Sequence, residues 1–524
     1  MVLGHRKNSL GSARSSTDQV SETDEDETVV SSEQGNVISH IIAQLRPGAD
    51  LSRITLPTFI LEPRSMLERI TNFMAHPDQL LHLPTIDDPL QRFVAVTKFY
   101  LSGWHIKPPG VKKPLNPILG EVFTGWWDYP DGTRGYYISE QTCHHPPKSS
   151  YFFMAPEHHI RIDGTLKPRS KFLGNSAGSF MEGIAVMRFT DRNERYFITQ
   201  PNMYARGILF GKMKYELGDH AVVRCPETGL EADVEFKVKG WVGGTYNAIG
   251  GNIKDSRTGK ALFELSGFWH GEMFIKDLST GKKQLLFDAS SAKPSFPKSR
   301  PLEEQDPRES QRLWDATNKA IKKSDHRGAT DTKTAIEEQQ RAEATERGET
   351  EWKPKLFTAA PAGDEEKLDW VIDAKVDPSL PAEQQVQQIL AITPILPLQL
   401  TQKLQQGSRS EKAPTNNTTS QHTRPQTDGA NDLIDFGQNE AAASHAGAQQ
   451  TAKSQPQQLQ QPMIPTQQSA SQQAPTKQLA DMSLGDAKSS SSSTQNQAGS
   501  MNRAGQIVRQ DSLGNEEAFV DAES

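Results

Sequence analysis

Glu140-Gln-Thr-Cys-His144-His145-Pro146-Pro147 sets two imidazoles side by side in front of two prolines. Neither proline can donate to a sheet ladder, so the pair must end a strand and hold both rings at a rim. Upstream stands Lys112-Lys113-Pro-Leu-Asn116-Pro-Ile-Leu-Gly-Glu121, and far downstream Lys333-Thr-Ala-Ile-Glu337-Glu-Gln-Gln-Arg341. Lys333, Glu337 and Arg341 are spaced i, i+4, i+8 and share one face of a helix. On an exposed helix that spacing is a salt-bridge ladder, worth about 0.2–0.5 kcal/mol per pair. Taken together, two His, two Lys, one Arg and one Asn can cage a phosphorylated group. Arg grips phosphate as a fork and Lys as a point charge, while His and Asn add directed hydrogen bonds.

Other residues only resemble chemistry. Gly174-Asn-Ser176-Ala-Gly178 fits the nucleophile-elbow pattern, which needs a strand before the serine and a helix after it. The residues that follow, SFMEGIAVMRF, read as another strand, so Ser176 is not expected to be catalytic. His144-His145 and His158-His159 suggest a metal, but neighbours on a strand point to opposite faces and rarely serve one ion. No Cys-x-x-Cys, HExxH or G-x-x-x-x-G-K-[ST] run accompanies them. The expectation is a non-enzyme without metal or cofactor.

The elements that must position the cage follow from periodicity and turn residues. From about 118 to 290, short β-rich runs dominate: YYISEQ, YFFMA, GIAVMRF, RYFIT, HAVVRC, ADVEFKV, ALFELSGFW, EMFI and QLLF. Turn signals separate them at Asp131-Gly132, Asp163-Gly164, Glu227-Thr-Gly229, Arg257-Thr-Gly259 and Ser279-Thr-Gly281. Many strands without intervening helices predict an antiparallel sandwich or barrel. Helical patterns flank it, over Met66–Leu101 before and from Glu309 to about Glu346 after. Val37, Ile38, Ile41, Ile42 and Leu45 fall on one face of a further helix, capped by Asn36.

Composition bounds the rest. The chain has 524 residues, net charge −7 and only 35% hydrophobic residues, with mean hydropathy −0.65. The charge gives no reason to expect nucleic-acid binding. Two cysteines, Cys143 and Cys225, exclude a disulfide framework and fit the cytoplasm. The N-terminus lacks the apolar core of a secretory signal. No run of about 18 apolar residues exists; the nearest, Ile389–Leu400, is broken by Pro394 and Pro397. Residues 1–35, with an acidic cluster at Glu22–Glu27, and the Gln/Ser-rich residues 401–524 read as disordered.

EQTCHHPP closely resembles the EQVSHHPP signature of the oxysterol-binding-protein-related family. KKPLNPILGE, Ser170-Lys-Phe-Leu-Gly-Asn-Ser176 and the late ESQRLW…KTAIEEQQR block resemble it in the family's order, over about residues 36–375. Thr142-Cys143 departs from the usual Val-Ser and leaves the histidines and prolines intact. The resemblance implies an α+β fold, mainly β: a near-complete antiparallel barrel around a lipid tunnel, with an N-terminal lid and C-terminal helices. It implies a lid at 36–64, a lipid-binding domain at 65–400, and no enzymatic activity. It also implies phosphatidylinositol 4-phosphate contacts at Lys113, Asn116, His144, His145, Lys333, Glu337 and Arg341. Glu337 would meet headgroup hydroxyls or hold the basic pair, and the sequence leaves open whether Lys112 shares the phosphate. The lid would comprise the Val37–Leu45 helix and a strand-like Leu51–Ile60, with Leu56 and Leu61 as acyl-chain contacts.

A two-chain lipid exposes about 30 methylenes at roughly 0.8 kcal/mol each, so water contact would cost on the order of 20 kcal/mol. A carrier must therefore enclose both chains, and its lid must reopen at a membrane. Leu56-Pro-Thr-Phe-Ile-Leu-Glu-Pro-Arg-Ser-Met-Leu-Glu-Arg-Ile70 resembles the short subgroup that carries phosphatidylserine against phosphatidylinositol 4-phosphate. Sterol exchange and a lipid-sensing scaffold are the alternatives. The tail end resembles a degenerate two-phenylalanine-in-an-acidic-tract motif, with Phe519, Asp521 and Ala522 at its core. Such motifs bind the VAP receptors of the endoplasmic reticulum, which would place the protein at contacts with the plasma membrane. Asp432-Leu-Ile-Asp-Phe436 is a second apolar-acidic island, with no partner named by its sequence.

Overall fold

A computed structural model describes residues 27–29, 31–43, 45–51, 54, 56–209, 212–239, 244–361, 368–399, 508–510 and 516–518. The chain divides into two units, 1–419 and 420–524. In the second, β-strands Val508–Gln510 and Glu516–Ala518 pair antiparallel. Phe519, Asp521, Ala522 and the 432–436 island lie outside the described residues, as do Glu22–Asp26 of the acidic cluster.

The first unit opens with β1 (Glu27–Val29) and α1 (Ser32–Ala43). Described secondary structure thus starts at Glu27, and Asn36 lies inside the helix instead of capping it. The cause is a capping box one turn upstream. Gln34 N–H donates to Ser31 Oγ at 3.3 Å, and Ser31 N–H to Gln34 Oε1 at 3.1 Å. Among its described residues, the stretch Leu51–Ile60 does not form the expected strand. Pro57 leads into a tight helical turn at Thr58–Ile60, and the strand, β2, begins at Leu61 and ends at Ser65.

The Met66–Leu101 pattern folds as α2 (Met66–Arg69), α3 (Pro77–Leu80) and α4 (Pro89–Ser102). Asp88 caps α4 by accepting from Gln91 N–H at 2.7 Å, with Pro89 in the first helical position. β3 (Lys113–Leu115) then pairs in parallel with β2.

Thirteen consecutive strands follow: β4 (Val122–Asp128), β5 (Arg134–Cys143), β6 (Lys148–Ala155), β7 (Ile160–Phe172), β8 (Ser176–Phe189), β9 (Glu194–Ile198), β10 (Asn202–Arg206), β11 (Lys212–Cys225), β12 (Leu230–Lys237), β13 (Ala248–Asp255), β14 (Ala261–Phe268), β15 (Glu272–Asp277) and β16 (Lys283–Asp288). They form one antiparallel meander from β4 to β16, with β9 and β10 sharing the gap between β8 and β11, and β1 added on β11. The two ends, β4 and β16, do not pair, so the barrel is near-complete.

Four of the five turn signals make turns, each with its glycine at positive φ: Gly132 (85°), Gly229 (69°), Gly259 (70°) and Gly281 (72°). Asp163-Gly164 does not. It sits in the middle of β7, where the Tyr151 ring from β6 lies over the glycine and fills the space of any side chain. Asp163 is buried there because Arg161 and Arg188 both donate to it, Arg188 at 2.7 Å.

Leu67, Ile70, Phe93, Val96 and Leu101 of the N-terminal helices plug one end of the barrel against Tyr137, Phe153 and Val234. Outside, α8 (Ala382–Ile392) and the hairpin β17 (Phe357–Ala359)–β18 (Trp370–Ile372) cover β4–β6 through Ile138, Phe152 and Met154. These strands are apolar on both faces, which is why YFFMA reads as a continuous run. The late helical region resolves into α5 (Ser310–Leu313), α6 (Asp315–Lys322) and α7 (His326–Arg347).

Candidate functional site

Above the plugged end lies a cavity of about 1050 Å³, at the upper limit of small-ligand sites, which span roughly 300–1,000 Å³. Ile38, Ile41, Ile42 and Leu45 of the α1 segment face it, followed by Leu51, Ile54 and Leu56. Phe172, Ala177, Met181, Met203 and Met213 line the strand side, and Leu61 and Met66 the base. Leu56 and Leu61 therefore both reach the cavity; Leu61 is buried and also packs on Leu115, Ile118 and Trp314.

This roof is fastened twice. At its C-terminal side, Gly48 N–H donates to Phe172 O at 2.7 Å, Phe172 N–H to Ala49 O at 2.9 Å, and Asp50 bridges Lys171. At its N-terminal side, β1 pairs with Lys212–Lys214. The Val111 N–H donates to Thr28 Oγ1 at 2.7 Å, over a Gly110 whose missing side chain leaves the space.

One end of the cavity is polar, and all seven residues singled out from the sequence line it: Lys113, Asn116, His144, His145, Lys333, Glu337 and Arg341. β3 and its following loop bring the first two, the β5–β6 turn brings the histidines, and α7 the last three. Lys333 Nζ donates to Glu337 Oε1 at 2.6 Å, so Glu337 holds that lysine in place. Burial pushes the Lys113 ammonium below its ordinary pKa, the Lys333 charge adds to the push, and Glu337 opposes it. Asn116 and Arg341 are exposed, and among the described residues Arg341 pairs with Glu338, at 4.0 Å. Lys112 also lines the cavity, but its Nζ is engaged, donating to Phe59 O at 2.5 Å and tying the start of β3 to the roof segment.

The two signature imidazoles meet edge to face, 4.4 Å between centroids. His145 is exposed and His144 half-buried. Burial first, then the His145 ring, lowers the His144 pKa to about 4, against the Pro117 carbonyl and Glu337. Cys143 is half-buried on the same lining.

Three residues of the site escaped the sequence reading. Gln340 joins α7 to both other segments, through Leu119 N–H and His144. It sits three residues after Glu337, on the same helical face, and that spacing was the available signal. Glu121 is fully buried. It accepts from Ser65 Oγ (2.5 Å), Ser310 Oγ (2.7 Å), Trp314 Nε1 (2.9 Å) and Ile118 N–H (3.0 Å), locking β2, α5 and the β3 loop together. Glu140 accepts from the Lys355 and Leu356 amides, fixing the signature strand to the outer layer.

The motifs set aside stay apart from this chemistry. Ser176 is the first residue of the fourteen-residue strand β8, and no helix follows it. His158 meets Thr133 Oγ1 at 2.9 Å and Asp131 at 3.0 Å.

A near-complete antiparallel barrel, plugged at one end and holding a roofed apolar cavity with a cationic end, defines a lipid-binding fold. The oxysterol-binding protein model matches residues 40–323. An oxysterol-binding protein homolog of Schizosaccharomyces pombe is 54% identical over 347 residues, covering 64% of this chain and 72% of its own length. The solved Osh1 ORD domain in complex with cholesterol aligns with TM-score 0.55 at 21% identity, over 66% of this chain and 88% of that one. The Osh3 ORD of Saccharomyces cerevisiae in complex with PI(4)P aligns with TM-score 0.50 at 19% identity, over 69% and 95%. The chain belongs to the oxysterol-binding protein family, whose members bind and transfer lipids.

Proposed function

We propose that this protein exchanges phosphatidylserine for phosphatidylinositol 4-phosphate between the endoplasmic reticulum and the plasma membrane. One observation carries the reading: a single roofed cavity joins an apolar interior to Lys113, Lys333, Arg341, Asn116 and the two signature histidines. The phosphoinositide places its phosphate among these groups and its chains under Ile38, Ile41 and Ile42. Phosphatidylserine, also anionic, occupies the same space in turn, with Leu56 and Leu61 against an acyl chain. Phe519, Asp521 and Ala522 serve as the receptor-binding core at the endoplasmic reticulum. The second reading, sterol for phosphoinositide, draws on the fold shared with the cholesterol-bound Osh1 domain.

Mass spectrometry of lipids retained after incubation with mixed liposomes tests this. Recovery of phosphatidylserine and phosphatidylinositol 4-phosphate, each excluding the other, is expected. His144→Ala with His145→Ala should lose the phosphoinositide and keep phosphatidylserine. Recovery of sterol in place of phosphatidylserine selects the second reading. A protein that retains no lipid is a scaffold and not a carrier.

A further inference from the structure

We infer that Gln340 is a positioning residue that dictates which nitrogen of His144 carries the proton, and so keeps that ring neutral at the cationic end of the cavity. The argument starts from a group with no choice. A backbone N–H can only donate, and that of buried Leu119 points at Gln340 Oε1, 2.8 Å away. This fixes the orientation of the Gln340 amide. Turning it over would set its NH2 against the Leu119 N–H, donor against donor, and leave a buried amide unpaired.

With the oxygen so placed, the Gln340 NH2 faces His144 Nε2 at 2.7 Å. The NH2 donates, so Nε2 accepts and bears no proton. A neutral imidazole then carries its single proton on Nδ1. That nitrogen is buried and has no hydrogen-bond partner among the described residues. Charging the ring requires a proton on Nε2 that would confront the Gln340 NH2. The other groups around His144 are the adjacent His145 and, on α7, Glu337, with Lys113, Lys333 and Arg341 along the same cavity. Burial and His145 act against the imidazolium in the same sense as Gln340, while the Pro117 carbonyl and Glu337 favour it.

The consequence rests on the exchange reading given above. His144 adds an uncharged ring to that end of the cavity, and the positive charge comes from the lysines and Arg341. Headgroup affinity therefore owes no pH dependence around neutrality to His144.

The test is nitrogen NMR of the full chain with 15N-labelled histidine, His144 being assigned by the signal lost in His144→Gln. In the lipid-free protein, His144 should show a bare Nε2 and a protonated Nδ1 and stay neutral down to about pH 5. Gln340→Glu keeps both contacts but replaces the donor with a carboxylate, which accepts from Leu119 and from the ring. The Nε2 proton should then appear, and the His144 titration should rise to or above the ordinary value of about 6.5. Binding of vesicles containing phosphatidylinositol 4-phosphate should become pH-dependent between about 6 and 8 in that variant only. A wild-type His144 protonated on Nε2, or titrating near its ordinary value, overturns the inference; so does a Gln340→Glu protein whose His144 is unchanged. If that variant does not fold, the wild-type tautomer alone decides. The expected tautomer in a protein that binds no phosphoinositide vesicles upholds the role of Gln340 and removes the exchange reading.

Discussion

Removing the Glu121 carboxylate should be among the most damaging changes near the cavity, and the damage should depend on what replaces it. Its four partners are of two kinds. Trp314 Nε1 and the Ile118 amide can only donate, and both point at Oε2. The Ser65 and Ser310 hydroxyls point at Oε1, and a hydroxyl can also accept. Glu121→Ala strands two obligate donors in a fully buried site, at about 1–3 kcal/mol each, so the loss should be roughly 3–5 kcal/mol. Glu121→Gln can keep its oxygen toward the obligate donors and turn its NH2 toward the hydroxyls, which reverse their roles. Its cost should be about 1 kcal/mol.

The pH dependence has a definite sign. Burial raises the Glu121 pKa above its ordinary value, and the four hydrogen bonds only partly offset this. Stability from a raised carboxyl is present below the unfolded value and lost as pH rises through the folded one. Glu121→Gln has no such loss, so its deficit relative to the wild type should shrink from pH 4 toward neutrality. Urea unfolding of the three proteins across that range measures both effects. Equal destabilisation by Ala and Gln, or a Gln deficit that grows with pH, would refute the reasoning.

Lys113→Ala should weaken phosphatidylinositol 4-phosphate binding roughly 10–100-fold, the loss of a charge-assisted hydrogen bond of about 1.5–3 kcal/mol. Lys112→Ala should change it less than about threefold, because Lys112 is tied to Phe59 O; liposome binding compares the two. Ile41→Asp or Leu56→Asp sets a carboxylate against the apolar interior, and each should abolish retention of two-chain lipids by mass spectrometry while shifting the unfolding midpoint little.

The strands and the cage were legible because their signals are local. Every β-rich run falls on a strand, overrunning its end by at most one residue, and the i, i+4, i+8 face of α7 does carry Lys333, Glu337 and Arg341 into the cavity. Misreadings arose where a distant residue changed the meaning of a local one. Asp163-Gly164 has turn composition, but Tyr151 and two arginines make it the middle of a strand. Leu51–Ile60 is apolar enough for a strand, yet Pro57 withholds a donor and Lys112 takes up the Phe59 carbonyl. Glu121, Glu140 and Gln340 look like ordinary polar positions. Only their partners, up to 221 residues away, show that they are structural.

That separation along the chain also orders events in time. The barrel strands pair with sequence neighbours through short turns, contacts that form early and cheaply. The mouth of the cavity is different: Thr58 Oγ1 donates to His326 O across 268 residues, and His144 meets Gln340 across 196. At about 5–20 residues per second, α7 leaves the ribosome on the order of 10–50 s after the roof it must meet. Throughout that interval Ile38, Ile41 and Ile42 have no finished cavity to cover. A newborn chain thus passes through a stage with a greasy, open-ended barrel, and α7, made long after the roof, is the helix that makes it selective.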